Sequence, residues 1–131
     1  MNPIVISSCI ATDKIDESRE FYVRYFDAHI SFDCGWYLIL EFGSKTSQLS
    51  FIDSRKLPSG KCNPEGLTYN FLVEDVDAEY RKLTQAGLIP SEPIEDHPWG
   101  DRSFAVKDPN GITLGIYSDR EPSEEFRQYF R

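Results

Sequence analysis

Two histidines occur among the 131 residues, and they bound the acid-base and metal chemistry open to the chain. His97 stands beside Glu95, Asp96 and Asp101, residue types that together bind divalent cations or move protons. Neighbours on an extended chain point to opposite faces, so these side chains do not all meet one ion without a dedicated loop, and the segment reads as polar surface. His29 follows Asp27-Ala28 at a helix-to-strand junction, where an exposed or capping histidine is the ordinary outcome. Nucleophilic catalysis has no better footing: no motif places a His next to a Ser or Cys, and neither a nucleophile elbow nor a Gly-rich phosphate loop occurs. Cys9, Cys34 and Cys62 lack CxxC spacing and are odd in number, which fits neither a disulfide framework nor a zinc site. They read as reduced thiols, with Cys9 in the first strand as a small buried hydrophobe. Glu124-Glu125 belongs to a charged tail and forms no catalytic dyad.

The elements that must position any functional residue occur twice in one order. In the first copy a strand from Ile4 to Ala11 precedes a helix from about Asp16 to Phe26, capped by Asp13 or Asp16, whose Ile15, Phe21, Tyr22, Tyr25 and Phe26 form an apolar face. Strands follow at Ala28 to Cys34, Trp36 to Phe42 and Gln48 to Asp53, with turns at Asp33-Cys34-Gly35 and Gly43-Ser44-Lys45. The second copy opens with Leu67 to Val73, and Asp75 caps a helix carrying Val76, Tyr80 and Leu83 at helical spacing, with Gly87 at its C-terminal end. Its strands lie near Ile89 to Glu95, Arg102 to Lys107 and Ile112 to Tyr117, the last two joined by Asp108-Pro109-Asn110-Gly111. The expectation is an α+β fold in a single domain over residues 1–118: repeat one about 4–53, connector 54–66 and repeat two about 67–118. Residues 119–131 form a charged tail whose Phe126, Tyr129 and Phe130 could dock one helical face.

A net charge of −8 and a pI near 4.7 argue against nucleic acid, whose phosphates would be repelled by a surface without any Lys/Arg block. The acidic excess mainly keeps a protein dispersed, and leaves room for a cationic ligand. No run approaches the roughly 20 apolar residues that span a bilayer. Ile6-Ser7-Ser8-Cys9 loosely imitates a lipoprotein cleavage box, but no basic segment precedes it and the apolar run is too short, so it reads as strand. A cytoplasmic location follows as an expectation.

Phe21-Tyr22, Val73-Glu74-Asp75-Val76-Asp77 and the Asp108-Pro109-Asn110-Gly111 turn, in this order and spacing, make residues 4 to 117 similar to the vicinal-oxygen-chelate superfamily, which includes glyoxalase I, extradiol dioxygenases and bleomycin-resistance proteins. The resemblance implies two βαβββ repeats whose curled mixed sheets surround a cleft, in a homodimer. It also implies metal-ligand positions on the first, fourth, fifth and eighth strands. Here these fall at Ser7 (Ile6 or Ser8 if the register slips), Ser50, Thr68 and Gly115, none a normal ligand of a divalent ion. Neither a metal nor another cofactor is therefore expected. The Pro98-Trp99-Gly100 segment resembles the bleomycin-resistance members, which sequester a cationic, flat-ringed antibiotic without a metal.

Period-two alternation turns Leu49, Phe51, Phe71, Val73, Leu114 and Ile116 towards the helices. Gln48, Ser50, Thr68, Asn70, Leu72, Thr113, Gly115 and Tyr117 remain for the cleft. Trp36 and Trp99 lie near strand ends, where a flat ligand can stack, although either indole can instead belong to the core or a dimer contact. The reading is a metal-free homodimer that binds a small organic molecule, cationic or aromatic, through Trp36, Ser50, Thr68, Asn70, Trp99, Gly115 and Tyr117. The alternatives are a metal-dependent lyase, isomerase or dioxygenase with unusual ligands, and a non-catalytic dimeric interaction module. Neither nucleic acid nor membrane is an expected partner.

Overall fold

An apolar helix face needs a sheet to cover it, and each half of the chain builds that pair for itself. The computed structural model describes residues 1–131 and divides into two units, 1–64 and 65–131. The first contains β1 (Ser8–Thr12), α1 (Ile15–Phe26), β2 (His29–Asp33), β3 (Tyr37–Glu41) and β4 (Gln48–Asp53), followed by a 3-10 turn at Ser54–Lys56. Its sheet has the order β1-β4-β3-β2, parallel between β1 and β4 and antiparallel elsewhere. The second contains β5 (Thr68–Leu72), α2 (Val76–Gln85), β6 (Glu92–His97), β7 (Asp101–Lys107), β8 (Thr113–Asp119) and the short α3 (Glu124–Arg127). Its order β5-β8-β7-β6 repeats the first, with β5 and β8 parallel. The fold is thus α+β with two βαβββ units.

In unit 1 the fully buried Tyr22 of α1 meets Phe51 at 5.5 Å and Phe42 at 5.9 Å between ring centroids, and Leu38, Leu40 and Leu49 complete the covered face. In unit 2 Val76 and Leu83 of α2 are buried with Phe104, Val106, Leu114 and Ile116, and Tyr80 stands edge-on to Phe104 at 5.1 Å. Each such side chain contributes roughly 1.5–3 kcal/mol by leaving water.

Several boundaries differ from the sequence expectation. The first strand begins at Ser8 because Ser8 pairs with Leu49 and β4 starts one residue earlier, at Gln48; Ile4 and Ile6 have no partner strand and stay exposed. Neither Asp13 nor Asp16 caps α1. Lys14 occupies the cap position, Thr12 Oγ1 accepts its N–H at 2.8 Å, and Asp13 pairs with Lys61 at 3.3 Å. The sixth strand starts at Glu92, three residues late, after Pro90, which has no N–H to give, and Ser91, whose N–H bonds the Ala105 carbonyl; Ile89 is left exposed. The eighth continues to Asp119, into the segment expected as tail, because β7 starts at Asp101, which pairs with Asp119.

The start of α2 matches expectation and adds a partner from β8. Asp75 Oδ1 accepts from Ala78 N at 3.0 Å. The buried Ser118 hydroxyl accepts from Val76 N at 3.0 Å and donates to the Val73 carbonyl at 2.7 Å. Replacing Ser118 by Ala leaves that amide and carbonyl unpaired in a dry site, so Ser118→Ala is expected to destabilise by about 1–3 kcal/mol. Urea unfolding checks this; an unchanged midpoint would show that the hydroxyl is dispensable.

Candidate functional site

With one face of each sheet given to a helix, the other face carries the polar positions. In unit 2 the register aligns Thr68 with Thr113, Asn70 with Gly115 and Leu72 with Tyr117, and β7 adds Lys107, Ala105 and Ser103 opposite those β8 positions. Thr68, Asn70, Gly115 and Tyr117 therefore share one face. The side chain of Asn70 lies across Gly115: a Cβ built on Gly115 would sit 2.6 Å from Asn70 Oδ1. That amide is exposed and makes no hydrogen bond within the chain.

The same face continues into the β6–β7 hairpin, where the chain turns at Pro98, Trp99 and Gly100. His97 pairs with Asp101 and Glu95 with Ser103. His97 Nδ1 lies 2.7 Å from Asp101 Oδ1 and 3.2 Å from Ser103 Oγ, and Nε2 lies 3.3 Å from Glu95 Oε1. Trp99 stacks flat on the imidazole, with centroids 4.4 Å apart and planes 4° from parallel, and its indole N–H donates to Asp101 Oδ2 at 2.8 Å. Phe126 of α3 closes on the indole edge at 6.3 Å, and the chain before it is tied down by Arg120 N to the Gly100 carbonyl and Ser123 N to the Pro98 carbonyl, both 2.8 Å. Asp101 thus holds both rings of the stack.

The reading of this segment as polar surface did not foresee the order of its contacts. Alternation separates Asp96, which turns away to Arg102 at 3.5 Å, but it brings Glu95 and His97 to one side, and the hairpin returns Asp101 to the same side. Burial by itself lowers the imidazole pKa; hydrogen bonds from its ring to the Asp101 and Glu95 carboxylates, with their charges, outweigh it and raise it above 6.5. His29 is exposed.

Unit 1 holds the remaining expected positions. Ser50 is buried, flanked in register by Cys9 on β1 and Ile39 on β3. Cys9 is exposed on this face and is not the buried residue anticipated, because parity sets it opposite the helix side. Trp36 immediately precedes β3, is 44% exposed, and stands edge-on to Tyr37. Lys56 Nζ sits 5.1 Å above the indole, a neighbour that sequence separation conceals.

The four positions at which the resemblance leads one to expect metal ligands hold residues that do not suit a metal. Ser7 lies before β1 and is exposed, Ser50 and Thr68 offer hydroxyls, and Gly115 has no donor and an amide across it. No three side chains from His, Cys, Asp and Glu form a group suited to holding an ion. The face of unit 2 can instead hydrogen-bond a neutral or cationic molecule through Asn70, Thr68 and Tyr117.

Residues 2–116 match the family model of the Glyoxalase/Bleomycin resistance protein/Dioxygenase superfamily, and the chain belongs to that superfamily. Solved structures similar to it include a glyoxalase/bleomycin resistance protein/dioxygenase from Nocardioides, with a TM-score of 0.76 and 20% identity over 92% of this chain and 86% of that one. TnmS3, an antibiotic binding protein from Streptomyces sp. CB03234, gives 0.74 and 20% over 90% and 97%. A lactoylglutathione lyase from Agrobacterium tumefaciens gives 0.70 and 17% over 90% and 96%. At these identities the likeness is one of fold. A comparison with curated proteins finds no match.

Two outcomes are expected from these contacts. Gly115→Ala should force Asn70 off its position at a cost of about 0.5–1.5 kcal/mol, and Asn70→Ala should relieve that cost; additive losses in a double-mutant cycle would show that the two do not touch. Because folding raises the His97 pKa, its stabilising contribution is complete below 6.5 and is lost as pH rises through the raised value. Thermal unfolding across that window should lose this component of its pH slope in His97→Gln, and an identical slope in both proteins would contradict the assignment.

Proposed function

We propose that the protein is a metal-free binding module that holds a small organic molecule on the open face of unit 2, of the kind that sequesters an antibiotic in bleomycin-type resistance. The observation that carries this reading is the Asn70 amide lying across Gly115, which replaces a carboxylate ligand by a neutral, unpaired donor and acceptor. Thr68 and Tyr117 share that face, and Trp99 at its margin offers a flat ring beside Asp101 and Glu95, an environment that favours a cationic or aromatic partner. Within unit 1, considered by itself, the reading assigns Ser50 and Trp36 to ligand binding. The antibiotic binding described for TnmS3, a protein of the same fold, supports the class of ligand.

A homodimer in the cytoplasm is part of the proposal. Leu72 and Phe32, exposed on the two sheets, favour a partner surface, and three free thiols favour a reducing compartment. No helix is long and apolar enough to cross a membrane.

The test is thermal unfolding against a panel of flat-ringed antibiotics, cationic and neutral. A specific ligand at 100 times its Kd should stabilise the protein by about 2.7 kcal/mol, and Asn70→Ala should remove most of that gain. A panel without effect, or a gain untouched by Asn70→Ala, would refute the reading. Elemental analysis after dialysis without chelator is expected to find no stoichiometric metal; one tightly held ion per chain would return the protein to the metalloenzymes.

A further inference from the structure

The open face of unit 2 carries its charges at opposite ends. Register and alternation bring to the side away from α2 Thr68, Asn70 and Leu72 of β5, the alternate positions of β8 from Thr113 to Asp119, those of β7 from Asp101 to Lys107, and Glu92, Glu95 and His97 of β6. Lys107 is the only lysine or arginine among them, whereas Glu92, Glu95, Asp101 and Asp119 are carboxylates. Lys107 lies at the end next to the Asp108-Pro109-Asn110-Gly111 turn. Glu95 pairs with Ser103, four positions back along β7, so about 14 Å separates the two rows at roughly 3.4 Å per residue.

The cation is unspent. Lys107 Nζ donates to Thr113 Oγ1 at 2.6 Å and makes no ion pair, in a chain whose net charge is −8. The adjacent carboxylate, Asp108, is buried and turned into its own loop, where Oδ1 accepts from Asn110 N at 2.8 Å and Ile112 N at 2.9 Å. Thr68 stands in register beyond Thr113, so one ammonium and two hydroxyls occupy a single row. All three can donate to an anionic oxygen, and the bond from the ammonium is charge-assisted.

The far end has one carboxylate free to turn. Asp101 is engaged by the His97 ring and the Trp99 N–H, but Glu95 is 60% exposed and touches only His97 Nε2, at 3.3 Å. Between the two ends Gly115 and Ala105 contribute nothing larger than a methyl group, which leaves the Asn70 amide to meet a planar ligand.

We propose that the ligand of this face is a zwitterion with a flat ring, held in one direction: its carboxylate pairs with Lys107 beside Thr113 and Thr68, and its cationic end pairs with Glu95. The proposal rests on the reading of the unit 2 face as the binding surface and adds to it an anionic subsite and a polarity.

The probe is 6-(aminomethyl)-2-naphthoate, a rigid zwitterion, compared with its carboxamide, which keeps only the cation, and with 6-methyl-2-naphthoate, which keeps only the anion. Each is titrated at low salt and followed by the side-chain amide resonances of Asn70, which Asn70→Ala assigns. The zwitterion should bind about fivefold tighter than its carboxamide, the reach of one exposed ion pair. Lys107→Gln should reduce that preference to below about twofold, and Lys107→Arg should keep it. Glu95→Gln should instead erase the preference for the zwitterion over 6-methyl-2-naphthoate and leave the preference over the carboxamide intact. Equal binding of zwitterion and carboxamide, or a preference unchanged in Lys107→Gln, would overturn the proposal. Binding of all three compounds alike, lost in Asn70→Ala, would overturn the polarity while keeping the unit 2 reading. No shift of the Asn70 amide at millimolar zwitterion would overturn this proposal alone, since the unit 2 reading stands or falls with the antibiotic panel.

Discussion

The parallel pairing of the first and last strands in each unit is the constraint on which the candidate site depends. It brings Asn70 beside Gly115, residues 45 positions apart, and Cys9 beside Ser50, 41 apart. Because side chains alternate, a slip of one residue between β5 and β8 would send Asn70 into the helix side and an apolar side chain to the open face. The core prevents the slip: Phe71 and Ile116 are paired in register on the helix side, and Phe51 packs on Tyr22. Burial of one face therefore fixes the chemistry of the other.

A second consequence is that polar anchors sit where the helix side meets the strand ends. Ser118, buried under the first turn of α2, joins the last strand to the helix start and to the Val73 carbonyl. The corresponding start of α1 is held differently, by Thr12 and by Ser18, whose hydroxyl donates to the Lys14 carbonyl at 2.7 Å. The two units share an architecture and solve its local hydrogen-bonding needs with different residues.

Much of this was legible in the sequence, and the failures have physical causes. The alternation of Leu49 and Phe51 against Ser50, and of Leu114 and Ile116 against Gly115, placed the faces correctly because one face is apolar in both strands. Ile4, Val5 and Ile6 look like strand, yet a strand needs a partner, and β4 ends its pairing at Gln48 and Leu49. The meeting of Glu95, His97 and Asp101 was not legible because the turn at Pro98-Trp99-Gly100 decides whether residues 97 and 101 face each other, and that depends on turn geometry rather than on period. The proximity of Lys56 to Trp36 arises from the β3–β4 pairing and has no local signature.

The Asn70–Gly115 contact also bears on how such a protein changes over generations. Gly115→Glu would install a carboxylate on the open face of unit 2, but its Cβ would arrive 2.6 Å from Asn70 Oδ1. The order of substitutions then matters: a change at Asn70 that clears the space makes the later step at position 115 cheap, whereas the reverse order passes through a crowded intermediate. A neutral-looking drift at residue 70 thus decides how readily position 115 can accept any side chain at all.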